Sequence, residues 1–149
     1  MWNTTLFDTF IPRAWATFLQ LLSANVPPVD TAAYFHAWPP VVQQASGGDP
    51  YYWQNVGLHL LQILAEEQQP VWPVAGSDSY AALSEVLVGK ETDLRYVPAL
   101  VAAGVNVTIP HERILRMIQI SGANCQMLTP ENIYEVLLVR VLLPLALCH

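Results

Sequence analysis

The sequence predicts an α+β fold: a small three-stranded sheet, one β-hairpin plus one strand, with about five to six helices packed around it. Three observations predict it. Apolar residues recur at spacings of three and four over 5–23, 50–67 and 131–147. Two short apolar runs, 69–74 and 80–88, flank the turn residues Gly76-Ser77-Asp78 and read as a hairpin. Residues 105–109, Val-Asn-Val-Thr-Ile, alternate as a further strand.

Each element has local reasons. The first helix is expected over 5–23, with Leu6, Phe7, Phe10, Ile11, Ala14, Trp15, Phe18, Leu21 and Leu22 on one face. Asn3 or Thr4 can cap it. Pro12 should kink it or mark its first turn, and Asn25-Val26-Pro27-Pro28 ends it. Asp30 caps a short helical piece over 31–37, stopped by Trp38-Pro39-Pro40, and 43–48 is a polar loop. Asp49-Pro50 pairs an N-cap with a first-turn proline. The helix it opens reaches residue 67, with Tyr52, Val56, His59, Leu60, Ile63 and Leu64 on its apolar side.

Pro70 and Pro73 make the first strand an edge or irregular one. Asp93 caps a helix through 103, which Pro98 could shorten, and Gly104 suits its left-handed C-cap. After the strand at 105–109, Pro110 opens a helix over 111–119, and 121–126 is a loop. Thr129-Pro130 opens the last helix, expected over 131–147.

The chain has 149 residues, a single module's worth. Apolar residues make up 53% and charged residues 12%, against about 25% charged in an average domain. Such a chain has too little charge to cover its surface in the usual way, so part of that surface is expected to be covered by other protein. A module excised from a longer chain fits this. No apolar run reaches the ~18–20 residues of a spanning helix; the longest, 136–148, is broken by Arg140 and Pro144. The N-terminus lacks a basic stretch and carries Asp8, unlike a signal peptide. The net charge of −6 and a single lysine, Lys90, exclude a nucleic-acid surface. Cys125 and Cys148 make no disulfide framework and fit a reducing, cytoplasmic setting. Asn3-Thr4-Thr5 and Asn106-Val107-Thr108 fit a glycosylation pattern too short to carry weight.

Candidate chemistry is sparse. His111-Glu112 begins like a zinc-protease helix, but Leu115 stands where the second histidine is required. His111 therefore reads as a surface or capping residue. His59 and His36 read as buried, hydrogen-bonded histidines, and His149 is terminal. The histidines and cysteines show no metal-ligand spacing. Cys125 matches no nucleophile signature. Glu66-Glu67 and Asp78 read as solvated, and Gly47-Gly48 lacks the residues of a phosphate loop. Tyr51-Tyr52-Trp53 is the expected exposed aromatic group and reads as a partner contact. The last helix, with Val136, Val139, Leu143 and Leu147 among its apolar residues, is apolar nearly all round and must be covered on most sides.

Pro70-Val71-Trp72-Pro73-Val74, a turn, and then Tyr80, Leu83, Glu85 and Val86 resemble a recurring passage of the sacsin-like family. Residues 94–104, 105–110 and 112–118 look like its continuation. Ile11-Pro12-Arg13-Ala14-Trp15 and Tyr34-Phe35-His36-Ala37-Trp38-Pro39 look like the segment before it. The likeness spans about residues 2–135, in short apolar motifs. Sacsin-like proteins are very large cytosolic chaperone-related chains, with an ATPase fold related to heat-shock chaperones and histidine kinases near their N-termini. No Asn-bearing helix with an Asp-x-Gly-x-Gly loop occurs in this sequence. The resemblance therefore implies a module downstream of the ATPase, structural or client-contacting, with no catalytic residue to carry over.

The expected function is a non-enzymatic interaction module without a cofactor. Its partners would be neighbouring domains of the parent chain or client proteins. Self-association through the C-terminal helix is expected of the isolated chain. The alternatives are a small-molecule-binding domain or cryptic enzyme with a cleft beside the strands, marked by a pocket around His59 or His111, and a peripheral membrane domain.

Overall fold

The computed structural model describes residues 4–28, 31–39, 41 and 50–142, with side chains described for 10–28, 31–39, 41 and 51–139. The caps expected at Asn3, Asp30 and Asp49, the polar loop, Leu143, Leu147, Cys148 and His149 lie outside the described residues.

Helix α1 spans Thr4–Asn25. It runs through Pro12 rather than beginning there. Pro12, Ala16 and Leu19 turn inward at spacings of four and three. A short helix α2, Thr31–His36, buries Tyr34 and Phe35. Helix α3, Pro50–Glu66, buries Val56, Leu60, Leu61 and Leu64 and packs between α1 and the later α5. The Arg13 guanidinium pairs with the Glu67 carboxylate across the α1–α3 junction. Both groups are largely solvent-facing, so the pair contributes about 0–1 kcal/mol.

The expected hairpin is present but short. Strands β1 (Trp72–Pro73) and β2 (Tyr80–Ala81) pair antiparallel, Trp72 opposite Ala81. Gly76, at φ 72°, supplies the left-handed residue of the turn. The second strand does not continue to residue 88. A 3-10 turn at Leu83–Glu85 interrupts it, and Leu87–Val88 becomes a separate strand, β3. The turn leaves Leu83 and Val86 both buried, which a period-two strand would place on opposite faces.

After β3, a 3-10 segment (Glu91–Tyr96) leads into α4 (Val97–Ala102). Asp93 does not sit at a cap position. It lies three residues in, where its carboxylate accepts the Lys90 N–H at 3.0 Å. Gly104, at φ 79°, closes α4: the Gly104 and Val105 N–H groups donate to the Val101 and Leu100 carbonyls, a Schellman motif. Strand β4 (Val107–Thr108) precedes α5 (Glu112–Ser121). Strand β5 (Gln126–Met127) lies where the sequence reads as a loop. Thr129 then caps α6 (Pro130–Val136), accepting the Asn132 N–H at 3.1 Å. The chain continues as a π-helix over Leu137–Leu142.

Strands β4, β3 and β5 form a parallel sheet in that order, with Leu87 level with Val107 and Gln126. Parallel neighbours need crossovers; α4 supplies one and α5 the other. The two connections step in opposite directions across β3. Their helices lie on opposite faces: Val88 packs with α3 and α5, whereas Leu87 and Val107 pack with Leu100 of α4 and Ile133 of α6. Crossovers that reverse both step and face share one hand, as the chirality rule requires. The Ala75 N–H donates to the Val107 carbonyl at 2.8 Å, which ties the hairpin to the outer edge of β4. The fold is α+β, with an antiparallel pair joined to a parallel three-stranded sheet.

Candidate functional site

The largest aromatic cluster lies beneath the hairpin. Trp38 and Trp72 are fully buried with ring centroids 5.0 Å apart, and Phe35 and Tyr34 pack around them. The Tyr34 hydroxyl donates to the Val71 carbonyl. Burial, reinforced by nearby Tyr80, raises the Tyr34 pKa well above the ordinary tyrosine range. These rings are core, not a ligand platform.

A crevice of about 680 Å³ opens outside the carboxyl ends of β3 and β4, where open parallel sheets bind ligands. Its apolar lining includes Phe35, Ile109 and Leu115, and its rim carries His36, Lys90, Glu91, His111, Glu112 and Arg116. Behind Ile109 the Gly89 backbone packs closely: a Cβ there would stand 2.7 Å from Ile109 Cδ1. His111 is the N-cap of α5 and its Nδ1 accepts the Arg113 N–H at 3.1 Å. The His36 ring meets it edge to face, with centroids 5.2 Å apart. Partial burial lowers the His111 pKa, helped by His36 and Arg113 and opposed by Glu112 and Glu91.

His111 thus has the capping role its position suggests. His36 and His59 are exposed, not buried. His59 falls on the outer row of α3 with Asn55, Gln62 and Glu66, all exposed; reading it with its leucine neighbours placed it one position off the true face. The approach of His36 to His111 joins residues far apart in sequence, and no local signal announces it. Cys125 is half-buried, and burial raises its thiol pKa, the opposite of an activated nucleophile. Among the described residues no three His, Cys, Asp or Glu side chains are grouped to hold a metal ion, and no helix is long and apolar enough to cross a membrane.

The expected interface residues divide between two surfaces. Tyr51 is 78% exposed at the start of α3, beside the partly buried edge-to-face pair Tyr52 and Trp53. Val136 and Val139 line a second groove of about 810 Å³ at the amino ends of the parallel strands. Val136 also packs against the α4–α6 core, whereas Val139, Leu138 and Tyr134 are open to solvent. A further apolar surface lies on α1, where Phe10 and Leu21, 67% and 59% exposed, share an outer row with Ala14 and Phe18. Periodicity alone assigned those residues to the inward face. No family model, curated protein or solved structure matches this chain.

Proposed function

We propose that this chain is a non-enzymatic structural or interaction module of a sacsin-like, chaperone-related cytoplasmic protein. It presents apolar helical surface to neighbouring domains of its parent chain or to client proteins. One observation carries the reading. Helix α1 is apolar on both sides, with Pro12, Ala16 and Leu19 toward the core and Phe10, Ala14, Phe18 and Leu21 outward. Arg13 and Thr17 are exposed on one flank, so the outward row stands as an apolar stripe opposite the buried one, and an exposed stripe of this kind marks a contact site. The outward row of α6 and its π continuation, Tyr134, Leu138 and Val139, supports the same reading. So does the low charge of the chain, since an uncovered apolar surface of this kind marks a contact site.

Footprinting with a reactive carbene tests this. Phe10 and Leu21 should label strongly in the isolated module and weakly within the intact parent polypeptide. Equal labelling in both would count against it.

The crevice beside β3 and β4 supports a second reading, a small-molecule site. Its rim charges offset one another, Lys90 and Arg116 against Glu91 and Glu112, so it favours neither anions nor cations.

A further inference from the structure

His36 and His111 come from different elements and meet at the mouth of the crevice. His36 ends α2 and His111 caps α5, with ring centroids 5.2 Å apart. Because His111 Nδ1 accepts the Arg113 N–H, that nitrogen holds a lone pair. The proton of the neutral ring therefore sits on Nε2. A second proton on His111 has one place to go, Nδ1, and it removes the cap. The resulting cation would stand at the positive end of α5. It would face His36 from α2 and Arg113 from α5, with Lys90 from the segment after β3 and Arg116 of α5 elsewhere on the crevice lining. Glu112 on α5 and Glu91 on the 3-10 segment pull the other way from exposed positions.

We infer that the His36–His111 contact is an acid-sensitive latch: neutral rings hold α2 against α5, and protonation of His111 breaks the cap and drives α2 away. The direction follows from linkage. Burial, His36 and Arg113 lower the His111 pKa in the folded chain. As pH falls below the ordinary histidine value of ~6.5, the unfolded or opened chain takes up the proton first. The latch is fully closed above that value and weakens as pH falls through the depressed one. Helix α2 also carries Tyr34 and Phe35 into the aromatic cluster, so opening starts at its His36 end. A metal bridge fits less well. Binding through Nε2 calls for a proton on Nδ1, which the Arg113 bond forbids.

A pH titration of the whole chain by NMR tests the latch. The His111 ring should titrate below the ordinary histidine value, and His36→Gln should move its midpoint upward. Exchange of the Arg113 amide, corrected for intrinsic pH dependence, should accelerate about fivefold across that midpoint, the loss of one N-cap bond. His111→Asn keeps a good cap without a titrating ring and should abolish the change. Three results would each overturn the latch: a His111 midpoint at or above the ordinary value, a midpoint unmoved by His36→Gln, or Arg113 protection that stays constant. The wild-type and His36→Gln titrations decide the matter even if His111→Asn fails to fold.

Discussion

At the scale of the residue, buried polar groups set the clearest expectations. Thr108 is fully buried on β4, and its hydroxyl has no hydrogen-bond partner among the described residues. Replacing an unsatisfied buried hydroxyl with a methyl of the same shape removes a desolvation cost. Thr108→Val should therefore stabilise the chain by about 1 kcal/mol in urea unfolding. Tyr34 behaves in the opposite way, because its hydroxyl donates to the buried Val71 carbonyl. Tyr34→Phe leaves that carbonyl unpaired and should cost about 1–3 kcal/mol. The raised Tyr34 pKa also has a sign. The unfolded chain loses the tyrosine proton first, near ~10, so stability falls as pH rises past that value. Absorbance and unfolding followed together above neutral pH check this. Trp72 was legible as core from its place beside Pro73, whereas the burial of Tyr34 had no such signal and Trp38 read only as part of a helix stop. Nor was the exposure of His59 legible, because one position along a helix is enough to exchange core for solvent.

At the scale of the element, glycines decide where chain direction changes. Gly104 holds the left-handed end of α4, with open space around the position of a Cβ. Gly104→Ala should cost about 1–2 kcal/mol from backbone strain alone. Gly89 is a case of space rather than strain, since a Cβ there meets Ile109 Cδ1 at 2.7 Å. Gly89→Ala should cost about 0.5–1.5 kcal/mol, the strain of turning the end of the Ile109 side chain aside. Paired Ile109→Val should recover part of that loss in the same denaturation assay, because it removes the clashing methyl. Helices were largely legible: α3, α5 and α6 start at the signals that Pro50, Pro110-His111 and Thr129-Pro130 carry. Strands were less so. Each is two residues long; β4 lies inside the alternating run 105–109 and was legible by it, whereas β5 carries Gln126 and Met127 without any pattern. The split after Ala81 was hidden because a 3-10 turn can bury Leu83 and Val86 as a strand cannot.

At the scale of the whole molecule, the described residues enclose two cores and leave apolar helix faces open. One core joins α1, α2, α3, the hairpin and α5, and the other joins α4, β4 and α6. The sheet separates them, which explains why a chain with so little charge can still bury a complete α+β unit. It does not cover the outer row of α1 or the Tyr134–Val139 face. Sedimentation velocity across a concentration series tests the central claim, that these faces are contact surfaces, most directly. The isolated chain should self-associate as concentration rises. Phe10→Lys with Leu21→Lys, two residues more than half exposed, should return it to a monomer with unchanged thermal stability. A wild-type chain that stays monomeric throughout the series would contradict the account.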